Sequence, residues 1–291
     1  MNRVEQPPEG AWTDWGGDGP PLHFAHANGF PPASYRSLLE RLAGDFQVAT
    51  YADRPLWSDD PPESLTDWTP LADDLGQALE RRGLEEVVGV GHSLGGVLTA
   101  LVAAARPGLF SVLILIDPVV FTFPRTWFWG GMKRLGQGWR LPLVRGARRR
   151  RDRWPERAAV AEAYRGKSTF SGWTDAAFDD YLEAGFEEIE DGVGLRYPKA
   201  WEARIFEVSP ADVWPALRRI DIPVLFLRGE NSETFLTGAA ARATREMSNV
   251  RVQEIPGTSH FLPFEDPDCV AAAIRDFVAD VARPSRLHVV R

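Results

Sequence analysis

Short apolar runs alternate along the chain with longer stretches in which apolar residues recur at helical spacing. Six of the short runs are rich in β-branched or aromatic residues and are bounded by Gly, Pro or Asp, which is typical of strands. These predicted strands span residues 22–27, 46–52, 85–91, 111–117, 222–229 and 250–257. The clearest helical patterns cover residues 65–83, 94–108 and 266–284. This alternation indicates βαβ units and a mostly parallel sheet covered by helices on both faces.

Two other stretches complete this outline. "WGGDGPPL", residues 15–22, predicts a hairpin turn that joins two opening strands. Residues 118–213 contain amphipathic patterns and many tryptophans but no clear strand. Because so long an insertion is unusual as a plain loop, we predict a helical cap at 118–213. Residues 1–117 and 214–291 would then form the core domain.

Composition narrows the class of protein and its partners. The chain has 291 residues, a formal net charge of -8 and a single cysteine, Cys269, so no intrachain disulfide can form. Because the negative net charge repels anionic partners at long range, nucleic acid and membranes are not expected as partners. No signal-like or membrane-spanning apolar run is apparent, which favours a soluble, cytoplasmic protein. Four consecutive arginines at 148–151 contrast with the negative net charge, and we interpret them as a solvated face rather than a substrate site.

The apolar run at 87–100, "VVGVGHSLGGVLTA", is interrupted by a serine between glycines. A predicted strand, then Gly-His-Ser-Leu-Gly, then a predicted helix is the context in which G-x-S-x-G forms a sharp turn that exposes the serine. Ser93 is therefore the candidate nucleophile. The backbone N–H of Leu94, at the start of the helix, is a candidate oxyanion donor.

These residues resemble the α/β-hydrolase family, and the resemblance extends over nearly the whole chain. It implies an α/β-hydrolase fold with a mostly parallel eight-stranded sheet, flanking helices and an inserted cap. It also implies the order serine, acid, histidine along the chain. His260, in "IPGTSHFLPFEDP", follows the last predicted strand and is the candidate base. Glu233, in "LRGENSETF", stands where the family usually carries an aspartate, a departure of one methylene, and is the candidate acid, with Asp117 and Glu230 as alternatives.

The resemblance also points to residues around the reacting atoms. "FAHANGFPP", residues 24–32, matches the family's oxyanion loop, with the N–H of Asn28 as first choice and that of Gly29 as second. The substrate pocket is predicted from aromatic residues near these motifs, namely Phe30, Trp57, Trp127 and Trp129. No metal-ligand cluster or phosphate-binding glycine loop is apparent, so no metal or cofactor is expected.

The leading hypothesis is a serine hydrolase, of the carboxylesterase type, that cleaves an ester with a hydrophobic acyl or alcohol moiety through an acyl-enzyme. The same family includes carbon–carbon bond hydrolases, lactonases and cofactor-free haloperoxidases, which motifs do not separate because pocket shape decides the substrate. A non-catalytic ligand-binding receptor with the same fold is the alternative from another class. The expected partner is a small hydrophobic substrate, and the sequence does not indicate an oligomeric state.

Overall fold

A seven-stranded sheet forms the centre of the protein, which a computed structural model describes over residues 8–283, without the side chains of residues 123–125. The strands are, in chain order, β1 (Trp12–Gly16), β2 (Pro21–Ala25), β3 (Gln47–Tyr51), β4 (Val87–His92), β5 (Phe110–Ile116), β6 (Arg153–Trp154), β7 (Phe186–Ile189), β8 (Gly192–Leu195), β9 (Val224–Gly229) and β10 (Val250–Ile255).

Helices cover the sheet and fill the long insertion between β5 and β9. They are α1 (Arg36–Leu42), α2 (Thr69–Arg81), α3 (Leu94–Ala105), α4 (Phe123–Arg134), α5 (Pro142–Arg149), α6 (Arg157–Arg165), α7 (Asp175–Ala184), α8 (Lys199–Glu207), α9 (Trp214–Leu217), α10 (Thr237–Glu246), α11 (Leu262–Glu265) and α12 (Pro267–Ala282). None of the helices described is both long and apolar enough to cross a bilayer.

The main sheet has the order β1-β3-β2-β4-β5-β9-β10, and all its pairings are parallel except that of β1 with β3. Ala25 at the end of β2 lies opposite Gly91, and His92 at the end of β4 lies opposite Ile116 of β5. Because parallel strands end at one edge, the loops after β2, β4 and β5 meet there. These loops carry the candidate oxyanion loop, Ser93 and Asp117.

Alternation along the strands produces one core on each face of the sheet. Leu113 and Leu115 of β5 pack in the cluster that includes α2 and α3, whereas Ile114 and Ile116 pack in the cluster that includes α1 and α12. All six residues of β4 are buried, as expected for a strand covered on both sides. The long apolar runs of the sequence are therefore the interior strands.

Two expectations about the sheet are corrected. The six patterned runs all form strands of the main sheet, but with β1 it has seven strands over residues 8–283 rather than eight, a number that came from the family resemblance. The predicted hairpin is also wrong, because β1 pairs with β3 and not with β2. Four of the five β3 residues are buried, so β3 is an interior strand and β1 lies outside it.

The insertion contains strands as well as helices. β6, β8 and β7 form a three-stranded antiparallel sheet between helices α5 and α8, which the helical interpretation of 118–213 did not include. Aromatic residues join the insertion to the core. Trp173 stacks on Phe264 with ring centroids 4.0 Å apart, and it belongs to the same buried cluster as Phe24 of β2. The division into a core and a separate cap stays a prediction.

His23, in the middle of β2, should make the stability of the fold depend on pH. The ring is fully buried against Trp12, its nitrogens have no partner among the described residues, and burial lowers its pKa to about 3. Since the unfolded chain binds the proton near pH 6.5, stability present above that pH is lost as the pH falls toward 3. Between pH 7 and pH 5, unfolding should become easier by about 2 kcal/mol through this group alone.

We therefore expect His23→Phe to flatten the acid limb of the stability curve by about that amount, measured by urea unfolding at both pH values. Burial raises the pKa of Asp53 to about 6, an effect of opposite sign, but Asp53 is present in both proteins and cancels in the difference. Parallel pH curves for the variant and the unchanged protein would contradict the assignment.

Candidate active site

Ser93 lies on a strained turn between β4 and α3. Its backbone has φ 55° and ψ -111°, a region that non-glycine residues rarely adopt, and its N–H donates to the carbonyl of Ile116 at 2.9 Å. Asp117 is also strained, with φ 43°. Such conformations persist where the surroundings enforce them, and they concentrate at functional sites.

Gly95 shows why the turn excludes side chains. A Cβ atom at Gly95 would lie 2.1 Å from the carbonyl oxygen of Ala25 and 2.7 Å from that of His26. One at Gly91 would lie 2.4 Å from the carbonyl oxygen of Gly95. The glycines two before and two after the serine thus allow strand β4, helix α3 and the end of β2 to approach closely.

A Gly95→Ala substitution should lower the free energy of unfolding by about 3 kcal/mol or more, because the obstructing atoms belong to the backbone and cannot rotate away. Gly146→Ala provides the matched control. Gly146 lies inside α5 with open space around it, so alanine should be neutral or stabilising by about 0.5–1 kcal/mol. Thermal or urea unfolding of both variants measures the difference, and equal effects would mean that the turn tolerates a Cβ.

His260 connects Ser93 to a buried carboxylate. Its Nε2 lies 3.1 Å from Ser93 Oγ, and its Nδ1 lies 2.6 Å from Asp117 Oδ2. The Asp117 side chain is completely buried, whereas that of His260 is 22% exposed toward the cavity. Because a carboxylate only accepts, Nδ1 carries the ring hydrogen, and the lone pair of Nε2 faces the serine hydroxyl. This tautomer can remove a proton from Ser93.

The carboxylate beside the ring is that of Asp117, the alternative acid, which corrects the expectation that Glu233 lies there. The loop after β9 turns so that Ser232, not Glu233, faces inward, and Ser232 Oγ donates to Asp117 Oδ2 at 2.5 Å. Glu233 is exposed and lies at the edge of the cavity. Glu230, the other alternative, accepts from the N–H of Gly257 at 2.8 Å and holds the turn before His260.

A cavity of about 660 Å³ opens beside Ser93 and His260. Apolar side chains of the core and the insertion form most of its wall, and Asn28 and Leu94 also line it. Of the aromatic residues predicted to line the pocket, Phe30 and Trp129 do so.

The other two predicted pocket residues, Trp57 and Trp127, are not part of the wall. Trp127 is 77% exposed on α4, and since residues 127 and 129 are about 200° apart around a helix, they cannot face one cavity together. Trp57 turns back on its own loop, where its indole N–H donates to the carbonyl of Ala52 at 2.9 Å.

A family model now places this geometry among known proteins. The model of the alpha/beta hydrolase family matches residues 24–273, which include β2, the serine turn, Asp117 and His260. The chain belongs to the alpha/beta hydrolase family. The resemblance seen in the motifs and the predicted fold class are thereby confirmed.

Individual relatives of this alpha/beta hydrolase are distant. The 2-(acetamidomethylene)succinate hydrolase of Mesorhizobium japonicum is 25% identical over 264 residues, covering 90% of this chain and 89% of the relative. The crystal structure of E-2-(acetamidomethylene)succinate hydrolase has a TM-score of 0.76 at 22% identity, covering 92% and 94% of the two chains. The thioesterase domain from the curacin biosynthetic pathway has a TM-score of 0.72 at 14% identity, covering 91% and 94%. These structural likenesses show the fold.

His92 links two parts of the hydrolase site in a way that sequence reasoning missed. Its Nε2 lies 2.9 Å from the carbonyl oxygen of His260 and must donate, so Nδ1 accepts from the Tyr35 hydroxyl at 2.7 Å. That hydroxyl accepts in turn from the N–H of Ala27 at 3.1 Å. Burial lowers the pKa of His92 well below its ordinary value, which keeps the ring neutral. No motif signals Tyr35, since its ring partner His92 lies 57 residues further along the chain.

The candidate oxyanion loop is tied to the insertion. Asn28 Nδ2 donates to the carbonyl of Glu202 at 3.0 Å, and the Glu202 carboxylate accepts from Arg150 Nη1 at 2.6 Å. Arg150 also donates to the hydroxyls of Tyr164 and Tyr181. One member of the basic run at 148–151 is therefore a half-buried structural anchor. Over residues 8–283, no group of three His, Cys, Asp or Glu side chains could hold a metal ion.

Proposed function

We propose that this hydrolase cleaves carboxylic esters with a hydrophobic acyl or alcohol moiety, with Ser93 as nucleophile, His260 as general base and acid, and Asp117 as the residue that orients His260. The observation that supports this most directly is the continuous contact of Asp117 Oδ2, the His260 ring and Ser93 Oγ at the wall of an apolar cavity. Contacts of this kind define an activated serine by geometry and role.

In the proposed reaction, Ser93 Oγ bonds to the acyl carbon while His260 Nε2 takes the hydroxyl proton. The bond from the acyl carbon to the alcohol oxygen then breaks, and the alcohol leaves with the proton from His260. Water next attacks the acyl carbon and gives a proton to Nε2. The bond to Ser93 Oγ breaks, the acid leaves, and Ser93 regains its proton. Asp117 stabilises the imidazolium that forms in each half-reaction.

The charge that develops on the carbonyl oxygen needs donors that face Ser93. Leu94 begins α3, and the first N–H groups of a helix have no partner within it, so its N–H suits this role. Asn28 lines the same cavity from the opposite loop, and we assign its backbone N–H as the second donor. Each such donor contributes about 10²–10³ in rate, because the charge exists only in the transition state.

The cavity wall supports an uncharged, hydrophobic substrate. The relative from Mesorhizobium japonicum is named for a succinate, which is a dicarboxylate. In this chain, phenylalanine, tryptophan, leucine and valine side chains form most of the described wall, and burial of a free carboxylate against them is costly. We therefore propose a different substrate class from the one in that relative's name.

Labelling with a fluorophosphonate tests the nucleophile. The purified protein should gain one adduct, which peptide mass spectrometry should locate on Ser93, and p-nitrophenyl esters of increasing acyl length should be hydrolysed. A lactone, a thioester and a meta-cleavage product form the comparison panel. Labelling together with turnover of the meta-cleavage product alone would replace the ester proposal by carbon–carbon bond hydrolysis. No adduct on folded protein would favour the non-catalytic receptor.

A further inference from the structure

The segment that runs from α4 into α5 carries an unusual group of exposed apolar side chains. The structure describes six exposed large hydrophobic residues, and five lie within 127–143, on α4, α5 and the turn between them. They are Trp127, Phe128, Leu135, Trp139 and Leu143. Trp127 is 77% exposed and Leu135 71%. Exposed apolar side chains grouped in one segment mark an interaction site more often than single exposed residues do.

The same segment is strongly basic. Residues 127–149 contain six Lys or Arg and no Asp or Glu, a formal charge of +6 in a chain whose net charge is -8. Exposed arginines there form no ion pair with any residue in the described range, namely Arg134, Arg140, Arg145 and Arg149. We call the exposed side chains of residues 127–149 the aromatic–basic face. The expectation of no membrane partner came from the net charge of the whole chain, which hides the positive charge of this one segment.

The aromatic–basic face is continuous with the active-site cavity. Phe128 and Leu143 are 59% and 57% exposed, and both also line the cavity beside Ser93. The apolar chain of a substrate that moves from a lipid layer at this face into the cavity would therefore contact apolar side chains from the surface to Ser93. A partner that merely covered the face would instead close this opening.

We propose that the aromatic–basic face docks on an anionic lipid surface. Trp, Phe and Leu beside Lys and Arg is the composition of helices that lie in the interface of a bilayer, with aromatic rings at the level of the headgroups. Arginines without ion-pair partners are attracted by anionic headgroups. The rest of the chain carries the negative balance and is repelled, which orients the cavity opening toward the lipid. A second copy of this chain is disfavoured, since two such faces would bring like charges together.

Flotation of the full chain with vesicles tests the docking proposal independently of the catalytic activity. We expect binding to vesicles of phosphatidylcholine mixed with phosphatidylglycerol, weak binding to pure phosphatidylcholine, and loss of binding at high salt. Removing two charges, in Arg134→Gln with Arg145→Gln, should weaken binding about 25-fold, at roughly fivefold per charge. Trp127→Ser with Leu135→Ser should weaken binding to the same vesicles.

Matched controls remove the same groups elsewhere. Arg81 and Arg219 are exposed, and Val281 is the remaining exposed large hydrophobic residue of the described range. Arg81→Gln with Arg219→Gln, and Val281→Ser, should bind as the unchanged protein does, and unchanged melting curves should show that every variant is folded. Equal losses in the control pair would overturn the proposal, as would absence of vesicle binding. Binding to polyglutamate but not to vesicles would also overturn the proposal and assign the face to an acidic protein. Dimers of the unchanged protein that the face variants dissociate would assign the face to a second copy of the chain.

Discussion

Ser93→Ala should lower kcat for a p-nitrophenyl ester by about a millionfold, the scale on which serine hydrolases lose activity when the nucleophile is removed. The Oγ atom is the only described side-chain atom within hydrogen-bond distance of His260 Nε2, so its loss leaves the base without a nucleophile to activate. The fold should not change, since Ser93 contributes its backbone N–H, not its side chain, to the turn through the bond to Ile116.

Initial-rate measurements on Ser93→Ala, His260→Ala and the double variant test whether the residues act as a unit. Because each single change already disables the same proton transfer, the double variant should be no slower than either single one. The residual rate should still exceed that of water by about 10³–10⁴, supplied by binding and by the oxyanion donors. A Ser93→Ala protein that keeps a tenth of the activity would place the reaction elsewhere in the cavity.

The parts of the site that could be predicted from sequence are those fixed by neighbours in the chain. The turn around Ser93 depends on glycines at fixed offsets, whose close approaches involve Gly91, Gly95 and the end of β2. His260 follows β10 directly and needs only a short loop to reach the serine. Both positions therefore leave a local pattern of residue types.

The acid depends on the relative position of two loops, and no local pattern records that. Asp117 follows β5 and Glu233 follows β9, two strands that end at the same edge of the sheet. Both residues lie between Ser93 and His260 in the sequence, so both satisfy the order of serine, acid and histidine. The turn of the loop after β9 decides between them, because it directs Ser232 toward Asp117 and leaves Glu233 exposed. Sequence order alone could not fix that turn.

The insertion was the least predictable region for a related reason. β6, β7 and β8 have two to four residues each, too few for an alternating pattern to emerge. The wall of the cavity was equally hard to predict, because Trp127 and Trp129 differ only in their position around one helix. Helical phase could have separated these two residues, whereas the reversed orientation of Trp57 depends on its bond to Ala52.

Asp117→Asn should lower kcat about 10⁴-fold, whereas Glu233→Gln should change it by less than tenfold. The neutral asparagine cannot stabilise the imidazolium as the carboxylate does. If its amide nitrogen faces Nδ1, the ring also takes the tautomer with its hydrogen on Nε2, which cannot accept the proton of Ser93. Glu233 is exposed and lines the cavity, so its replacement should affect substrate binding more than the orientation of the ring.

The pair of substitutions distinguishes the two carboxylates because both remove one negative charge without changing side-chain size. Steady-state kinetics on the same ester give kcat and KM separately, and melting curves show whether the buried asparagine is tolerated. Ser232→Ala adds a graded case. It removes one donor to Asp117 Oδ2, leaves the carboxylate beside Nδ1, and should cost about tenfold. A large loss of kcat in Glu233→Gln with a small one in Asp117→Asn would assign the acid to the loop after β9. The contact between Asp117 and His260 would then be structural only, because removing the charge that stabilises the imidazolium should slow catalysis.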